Sequence, residues 1–142
     1  MSFNYRNDYY HNSSMSRVIS LKGNTGTLPM DTISQIRWHS TDWQTFAVSS
    51  WDGSIRMYQL NNDRSPSFSE VFVFFFGLPV LSFCWEFTSF NFMVGLIDGT
   101  LLHLDSSSGK TMNVAKHNFA IRDLHMLGDL LLSFDEIGRA HV

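Results

Sequence analysis

The 142-residue chain is predicted to be all-β, built from a repeated four-stranded antiparallel unit. Three observations predict this: an aromatic-rich composition, three apolar segments of one pattern, and an aspartate at a matching place after each. Hydrophobic residues make up 44% of the chain and aromatics 15%, with 16% charged, which supplies a core, argues against wholesale disorder and favours a β-rich class. At this length one folding unit is expected rather than two.

The repeated segments are ISQIRW (Ile33 to Trp38), VLSFCW (Val80 to Trp85) and IRDLHM (Ile121 to Met126). Each is apolar at its first, fourth and sixth positions: Ile33, Ile36, Trp38; Val80, Phe83, Trp85; Ile121, Leu124, Met126. This departs from strict alternation and reads as a strand partly buried on both faces. A second apolar run follows each and stops at a turn aspartate: FAVSSWDGS at Asp52, FMVGLIDGT at Asp98 and LLLSFDEI at Asp135. After the first two, Asp-Gly leads into alternating strands, SIRMYQL and TLLHLD. This is a hairpin signal, because the carboxylate accepts turn N–H groups and glycine tolerates positive φ. EVFVFF and MNVAKH supply fourth strands. Four strands in meander order, recurring every roughly 40 to 47 residues, are the dimensions of a propeller blade.

The segments between strands are of the kind expected at a surface. NNDRSPS (Asn61 to Ser67) and SSSGK (Ser106 to Lys110) are polar and turn-rich. Residues 1–28 read as a flexible polar arm containing a candidate closing strand, SRVISL, and lacking the apolar stretch of a secretory signal. The apolar run VFVFFFGLPVLSFCW is interrupted by Gly77 and Pro79 and is shorter than the roughly 20 residues of a membrane helix, so no membrane partner is expected. A net charge of -3 gives no global attraction to nucleic acid or anionic lipid. The single cysteine, Cys84, reads as a buried small hydrophobe in a reducing compartment.

Over PMDTISQIRWHSTDWQTFAVSSWDGSIRMYQL the chain resembles WD-repeat propellers, and more narrowly the mRNA-export nucleoporin family and its sister, the WD-repeat mitotic checkpoint family. The resemblance rests on Pro29, Asp31 and Ile33, then Ser50-Trp51-Asp52, and later His117, Ala120 and Ile121. It implies a nuclear protein at the nuclear envelope and pore, shuttling with the cytoplasm. The implied protein is a non-catalytic scaffold in mRNA export that binds an FG-repeat nucleoporin segment and touches RNA through the assembled complex. The sister family implies instead a spindle-checkpoint propeller binding checkpoint kinases at kinetochores. The resemblance also implies a buried set in each blade, made of a histidine before the first strand, the turn aspartate and a tryptophan in the third strand. Here Pro29 and Tyr58 stand at the histidine and tryptophan places of the first blade, Phe76 and Leu104 at those of the second, and only the third offers both His117 and Asp135.

These residues divide into structural and functional candidates. His117 with Asp135 matches a general-base pair, yet no G-x-S-x-G nucleophile motif accompanies it, so Asp52, Asp98, His117 and Asp135 are assigned to turns and blade locks. Trp51, at the mouth of a turn, is the candidate partner contact, because an exposed aromatic on a rigid turn buries large area at little entropic cost. Arg37, Arg56 and Arg122 are expected on solvated faces. SSSGKT lacks the first glycine and the strand-to-helix setting of a phosphate loop. His39, His103 and His125 lack metal-ligand spacing. No metal, cofactor or small-molecule substrate is expected. A propeller enzyme would need convergent polar groups at the central channel, and the sequence displays none.

Residues 29–135 thus comprise two blades and half of a third, against about seven in families of this kind. Residues 136–142 end in IGRAHV, which with a stop back-translates to ATC GGA AGA GCA CAC GTC TGA, a common sequencing adapter. They are expected to be library-derived and set apart from the fold. Open edges, VFVFFF among them, are expected to make the chain insoluble or promiscuously paired.

Overall fold

The computed structural model describes residues 28–61, 67–137 and 140–141. The predicted arm apart from residue 28, its SRVISL strand, residues 62–66 of the NNDRSPS linker, and residues 138, 139 and 142 lie outside the described residues. Strands β1 (Ile33–Trp38), β2 (Thr45–Ser50), β3 (Ser54–Asn61) and β4 (Ser67–Phe75) form one antiparallel sheet in sequence order. A second sheet holds β5 (Val80–Trp85), β6 (Phe92–Leu96), β7 (Thr100–Asp105) and β8 (Lys110–Lys116). The third holds β9 (Ile121–Leu127), β10 (Leu130–Asp135) and the short β11 (Ala140–His141). The fold is all-β, with meander sheets consistent with an incomplete propeller of a few blades. β11, paired with Ser133 and Phe134, falls within residues 136–142.

The spacing of apolar residues in the first strands reflects an irregularity that the sequence reading did not include. Each first strand carries a bulge at its second residue: the register skips between Ile33 and Gln35, between Val80 and Ser82, and opposite Phe134 and Asp135, where Ile121 and Asp123 flank the skipped Arg122. One inserted residue turns the first side chain onto the face of the fourth and sixth. The 1-4-6 residues therefore share one face, and in the second sheet β5 is buried on its other face as well, through Ser82 and Cys84, as the two-sided reading expected.

That face packs against the sheet before it. In the second sheet Val80, Phe83 and Trp85, with Phe92, Val94 and Leu104 behind them, share a core with Ala47, Ile55 and Met57 of the first. Phe72, Phe74 and Phe76 close the outer side of this core. In the third sheet Ile121 and Leu124, flanked by Met126 and Leu131, pack against Cys84, Met93 and Leu101 of the second. Serine hydroxyls fix both steps: Ser34 Oγ donates to the Val80 carbonyl at 2.6 Å and Ser82 Oγ to the Ile121 carbonyl at 2.9 Å. The first sheet breaks the pattern, since its equivalent residues Ile33, Ile36 and Trp38 are 40%, 61% and 54% exposed. The sequence reading placed them in a core; they are uncovered because no described sheet precedes theirs.

Two glycines separate conformational strain from crowding. Gly77 (φ +81°) has open space where a Cβ would lie, whereas at Gly99 (φ +89°) a Cβ would stand 2.2 Å from the His117 carbonyl oxygen and 2.8 Å from that of Phe119. Gly77→Ala is expected to cost about 1–2 kcal/mol, from the positive φ alone. Gly99→Ala should cost at least about 2 kcal/mol more, since backbone must move. Urea unfolding of both variants at one fixed protein concentration checks the order.

Candidate functional site

The turns after β2, β6 and β10 share one local device. Asp52 Oδ1 accepts the Ser54 N–H at 2.9 Å, Asp98 Oδ1 that of Thr100 at 3.0 Å, and Asp135 Oδ1 that of Ile137 at 3.1 Å. Each aspartate closes a turn two residues long, as short polar side chains do at such sites. The other carboxylate oxygen reaches out of the turn to the segment entering or leaving the sheet, and the partner differs each time.

In the third sheet the partner is His117, which lies before β9. Its Nδ1 is 3.6 Å from Asp135 Oδ2 and its Nε2 is 2.8 Å from Ser133 Oγ. Serine, histidine and aspartate thus stand in the order of a catalytic triad. All three are buried, however, and burial tells against chemistry: a nucleophile needs an approach for substrate, and Ser133 Oγ sits inside the sheet. The three side chains tie the segment before β9 to β10 inside the sheet. Ser133 was missed in the sequence, although the shared Ser-x-Asp of Ser50-Trp51-Asp52 and Ser133-Phe134-Asp135 was there to find it.

In the first sheet the lock is ionic. Asp52 Oδ2 accepts the Met30 N–H at 2.9 Å and lies 3.5 Å from the Arg56 guanidinium, which is also 3.5 Å from Glu70 on β4 and sits over the Phe75 ring. Arg56 is buried, correcting its assignment to a solvated face: two carboxylates compensate its charge inside the sheet. Beside it Tyr58, at the place of the third-strand tryptophan, is fully buried, and burial pushes its phenol up to about 12. Burial alone would raise the Asp52 pKa. The Ser54 hydroxyl, the Met30 and Ser54 N–H groups and the Arg56 charge outweigh burial and hold it below the usual carboxylate range. In the second sheet, Asp98 pairs with Lys116 at 3.2 Å on the surface, and Leu104 fills the tryptophan place with an apolar side chain.

Trp51 projects from the β2–β3 turn that Asp52 closes and is 42% exposed. Its own N–H donates to the Thr32 carbonyl at 2.8 Å, and Ser50 Oγ accepts the Asp52 N–H at 3.1 Å, so the turn backbone is fixed from both sides. The same end of the sheets carries exposed Met30, Leu78 and Phe119 on the connections between strands. The arrangement offers apolar side chains on a rigid frame, which suits protein contact.

The inner strands form a second polar region. Arg37 of β1 reaches Asp123 of β9 at 3.2 Å, Gln35 Oε1 accepts the Phe83 N–H at 3.0 Å, and the Trp85 indole N–H donates to the Arg37 carbonyl at 3.2 Å. Arg37 is therefore paired, not simply solvated, while Arg122 is exposed as expected. An open cavity of about 350 Å³ lies here between Arg37-Trp38, Cys84-Trp85 and His125-Met126, the fifth and sixth positions of the three repeats. Burial pushes the Cys84 thiol up to about 12, so it is not a nucleophile near neutral pH. Among the described residues no three His, Cys, Asp or Glu side chains cluster as a metal site.

Comparison with known proteins agrees with this geometry. No protein-family model matches the chain. The WD40 repeat protein poxJ of Penicillium oxalicum is 30% identical over 102 residues, which is 71% of this chain and 29% of that protein. The same match is found for poxJ of Penicillium oxalicum strain 114-2. The chain thus spans under a third of the length of the curated relatives it matches. Among solved structures, the WD40 β-propeller domain of Doa1 superposes with a TM-score of 0.60 at 16% identity, covering 81% of this chain and 36% of that one. The computationally designed Ika8 protein gives 0.61 at 13% identity, covering 76% and 31%.

Two outcomes follow from the first lock. Removing the shared cation in Arg56→Met leaves two carboxylates facing each other and is expected to cost about 3 kcal/mol, read as a lower urea midpoint. Asp52, Asp98 and Asp123 are all depressed despite burial, by hydrogen bonds and neighbouring cationic or imidazole groups. Such carboxyls stabilise the fold above their unfolded pKa of about 3.9 and lose that contribution as pH falls through the lower folded value. Stability should hold from pH 7 to about 5 and decline below about 4. Asp52→Asn should flatten part of that acid limb in a urea series against pH.

Proposed function

Because the chain is a WD40-repeat protein, distantly related to WD40 propeller proteins, we propose that the whole protein is a non-catalytic scaffold that binds protein partners in mRNA export at the nuclear pore. The observation that carries the contact is the exposed Trp51 on a turn fixed by Asp52, Ser50 and Thr32. Rigid aromatics bury large area without losing much rotamer freedom, so they anchor partner segments well. The partner is a short segment of an FG-repeat nucleoporin, and RNA is touched through the assembled complex. This assignment is supported by Pro29, Asp31 and Ile33 with Ser50-Trp51-Asp52 and with His117, Ala120 and Ile121, the positions at which the chain resembles the export nucleoporins. The expected location is the nucleus and the nuclear envelope.

The full-length protein, tagged and drawn through nuclear extract, is expected to retain an FG-repeat nucleoporin. Trp51→Ala should reduce that capture at least tenfold, as loss of an anchor worth about 2 kcal/mol would, with little change in melting temperature because Trp51 is outside the core clusters. Recovery of a checkpoint kinase in place of the nucleoporin would reassign the protein to the sister family.

A further inference from the structure

The sheets have a second end, opposite the turn that carries Trp51, where the β1–β2, β5–β6, β7–β8 and β9–β10 connections lie. The β5–β6 connection belongs to the middle sheet, and a sheet packs on either side of it. It reads Glu86-Phe87-Thr88-Ser89-Phe90-Asn91; Phe87 is 56% exposed, and Phe90 is exposed three residues on. The turn is held from several directions. The Glu86 N–H donates to the Asn91 carbonyl at 2.9 Å, the Asn91 amide donates to Glu86 Oε2 at 3.3 Å, and His103 Nε2 lies 2.9 Å from that oxygen. The Ser106 N–H donates to Asn91 Oδ1 at 3.2 Å and ties in the β7–β8 connection. Thr88 sits at φ +64°, a left-handed conformation rare for a β-branched residue, and the bonds around it keep it there.

His39 joins this turn to its neighbour in the first sheet. Its Nδ1 accepts the Thr41 and Asp42 N–H groups at 3.1 and 3.0 Å, so the proton is on Nε2, which donates to the Ser89 carbonyl at 2.7 Å. The His39 ring also stacks on Phe90 at 4.2 Å. Asp42 accepts the Gln44 N–H at 3.0 Å and the Thr45 hydroxyl at 2.9 Å, and Trp43, on the turn these bonds close, is 71% exposed. Two turns from two sheets thus form one stiff platform with aromatic rings in solvent, and a ligand meets them without an ordering cost.

The platform is also acidic. Asp42, Glu86, Asp105 and Asp129 stand on the connections at this end or at the strand residues next to them, and among the described residues Lys110 is the one lysine or arginine there. Aromatic faces attract cations, tryptophan most strongly, and nearby carboxylates add to that attraction. The same field repels nucleic acid and acidic peptides.

We propose that this platform is a second docking surface, which takes an extended segment of a partner protein rich in lysine and arginine. Its cationic side chains lie over Trp43 and Phe87 and pair with the carboxylates around them. The surface is at the other end of the sheets from Trp51 and does not rest on that contact. A protein with both would hold two partners on opposite sides.

The test is fluorescence anisotropy of a dye-labelled peptide in which lysine and arginine alternate with serine, titrated with the full-length protein. Binding should saturate and weaken with added salt. A matched peptide with glutamate at the basic positions, and a single-stranded oligouridylate of equal length, should each bind at least tenfold more weakly. Trp43→Ala and Phe87→Ala should each weaken the basic peptide about fivefold. Phe87→Leu, which keeps apolar area but removes the ring face, should lose as much as Phe87→Ala, whereas Trp51→Ala should bind like wild type. All four should melt near wild type, because these side chains lie outside the core clusters. No saturable binding, tighter binding of the acidic peptide or the oligouridylate, wild-type affinity in both Trp43→Ala and Phe87→Ala, or full retention in Phe87→Leu would each overturn the proposal.

Discussion

Among the described residues the front faces of the second and third sheets are buried by the sheet before them, and the rest of the structure follows from that packing. A four-stranded meander has two apolar sides and no third layer, so each sheet is completed only by a neighbour. The sequence meets this demand by repeating one pattern with different residues. Val80, Phe83 and Trp85 supply bulk in the second sheet, and Ile121, Leu124 and Met126 supply it in the third. What lies behind is adjusted to fit: aromatic Phe72, Phe74 and Phe76 meet the large front of the second sheet, while Gly95 leaves room for Ile121, whose methyl would stand 2.7 Å from an added Cβ.

Once packing sets the spacing of the sheets, the turn aspartates set the path between them. The three turns use one hydrogen-bond pattern and three different outward partners: a buried arginine, a surface lysine and a buried histidine. The variation tracks burial. Arg56 and His117 lie inside, where an unpaired polar group is costly, and both meet carboxylates there. Lys116 stands in water, where an ion pair contributes little and an apolar Leu104 carries the core instead. A rigid turn is the by-product, and on one of them it fixes Trp51 in solvent.

Much of this was legible in the sequence because the repeat displays it three times. Strand order, the Asp-Gly hairpins and the buried Cys84 follow from local pattern and composition alone. The bulge was not legible: a 1-4-6 spacing does not by itself reveal the inserted residue, which only the strand pairing shows. Arg56 was misread because a cation in an alternating strand is ordinarily solvated, and its partner Glu70 lies on the next strand, 14 residues away. Ser133 went unnoticed because serine carries no strong signal until a histidine 16 residues earlier is folded onto it.

The exposed first-strand residues carry the same lesson further. Ile33, Ile36 and Trp38 obey the pattern that is buried in both later sheets, so their exposure measures the surroundings and not the residues. On this sheet Phe46 and Tyr58 hold the cluster beneath, and Ile36 and Trp38 face outward from it. In a stacked-sheet protein the burial of a front face therefore depends on its neighbour as much as on its own residues.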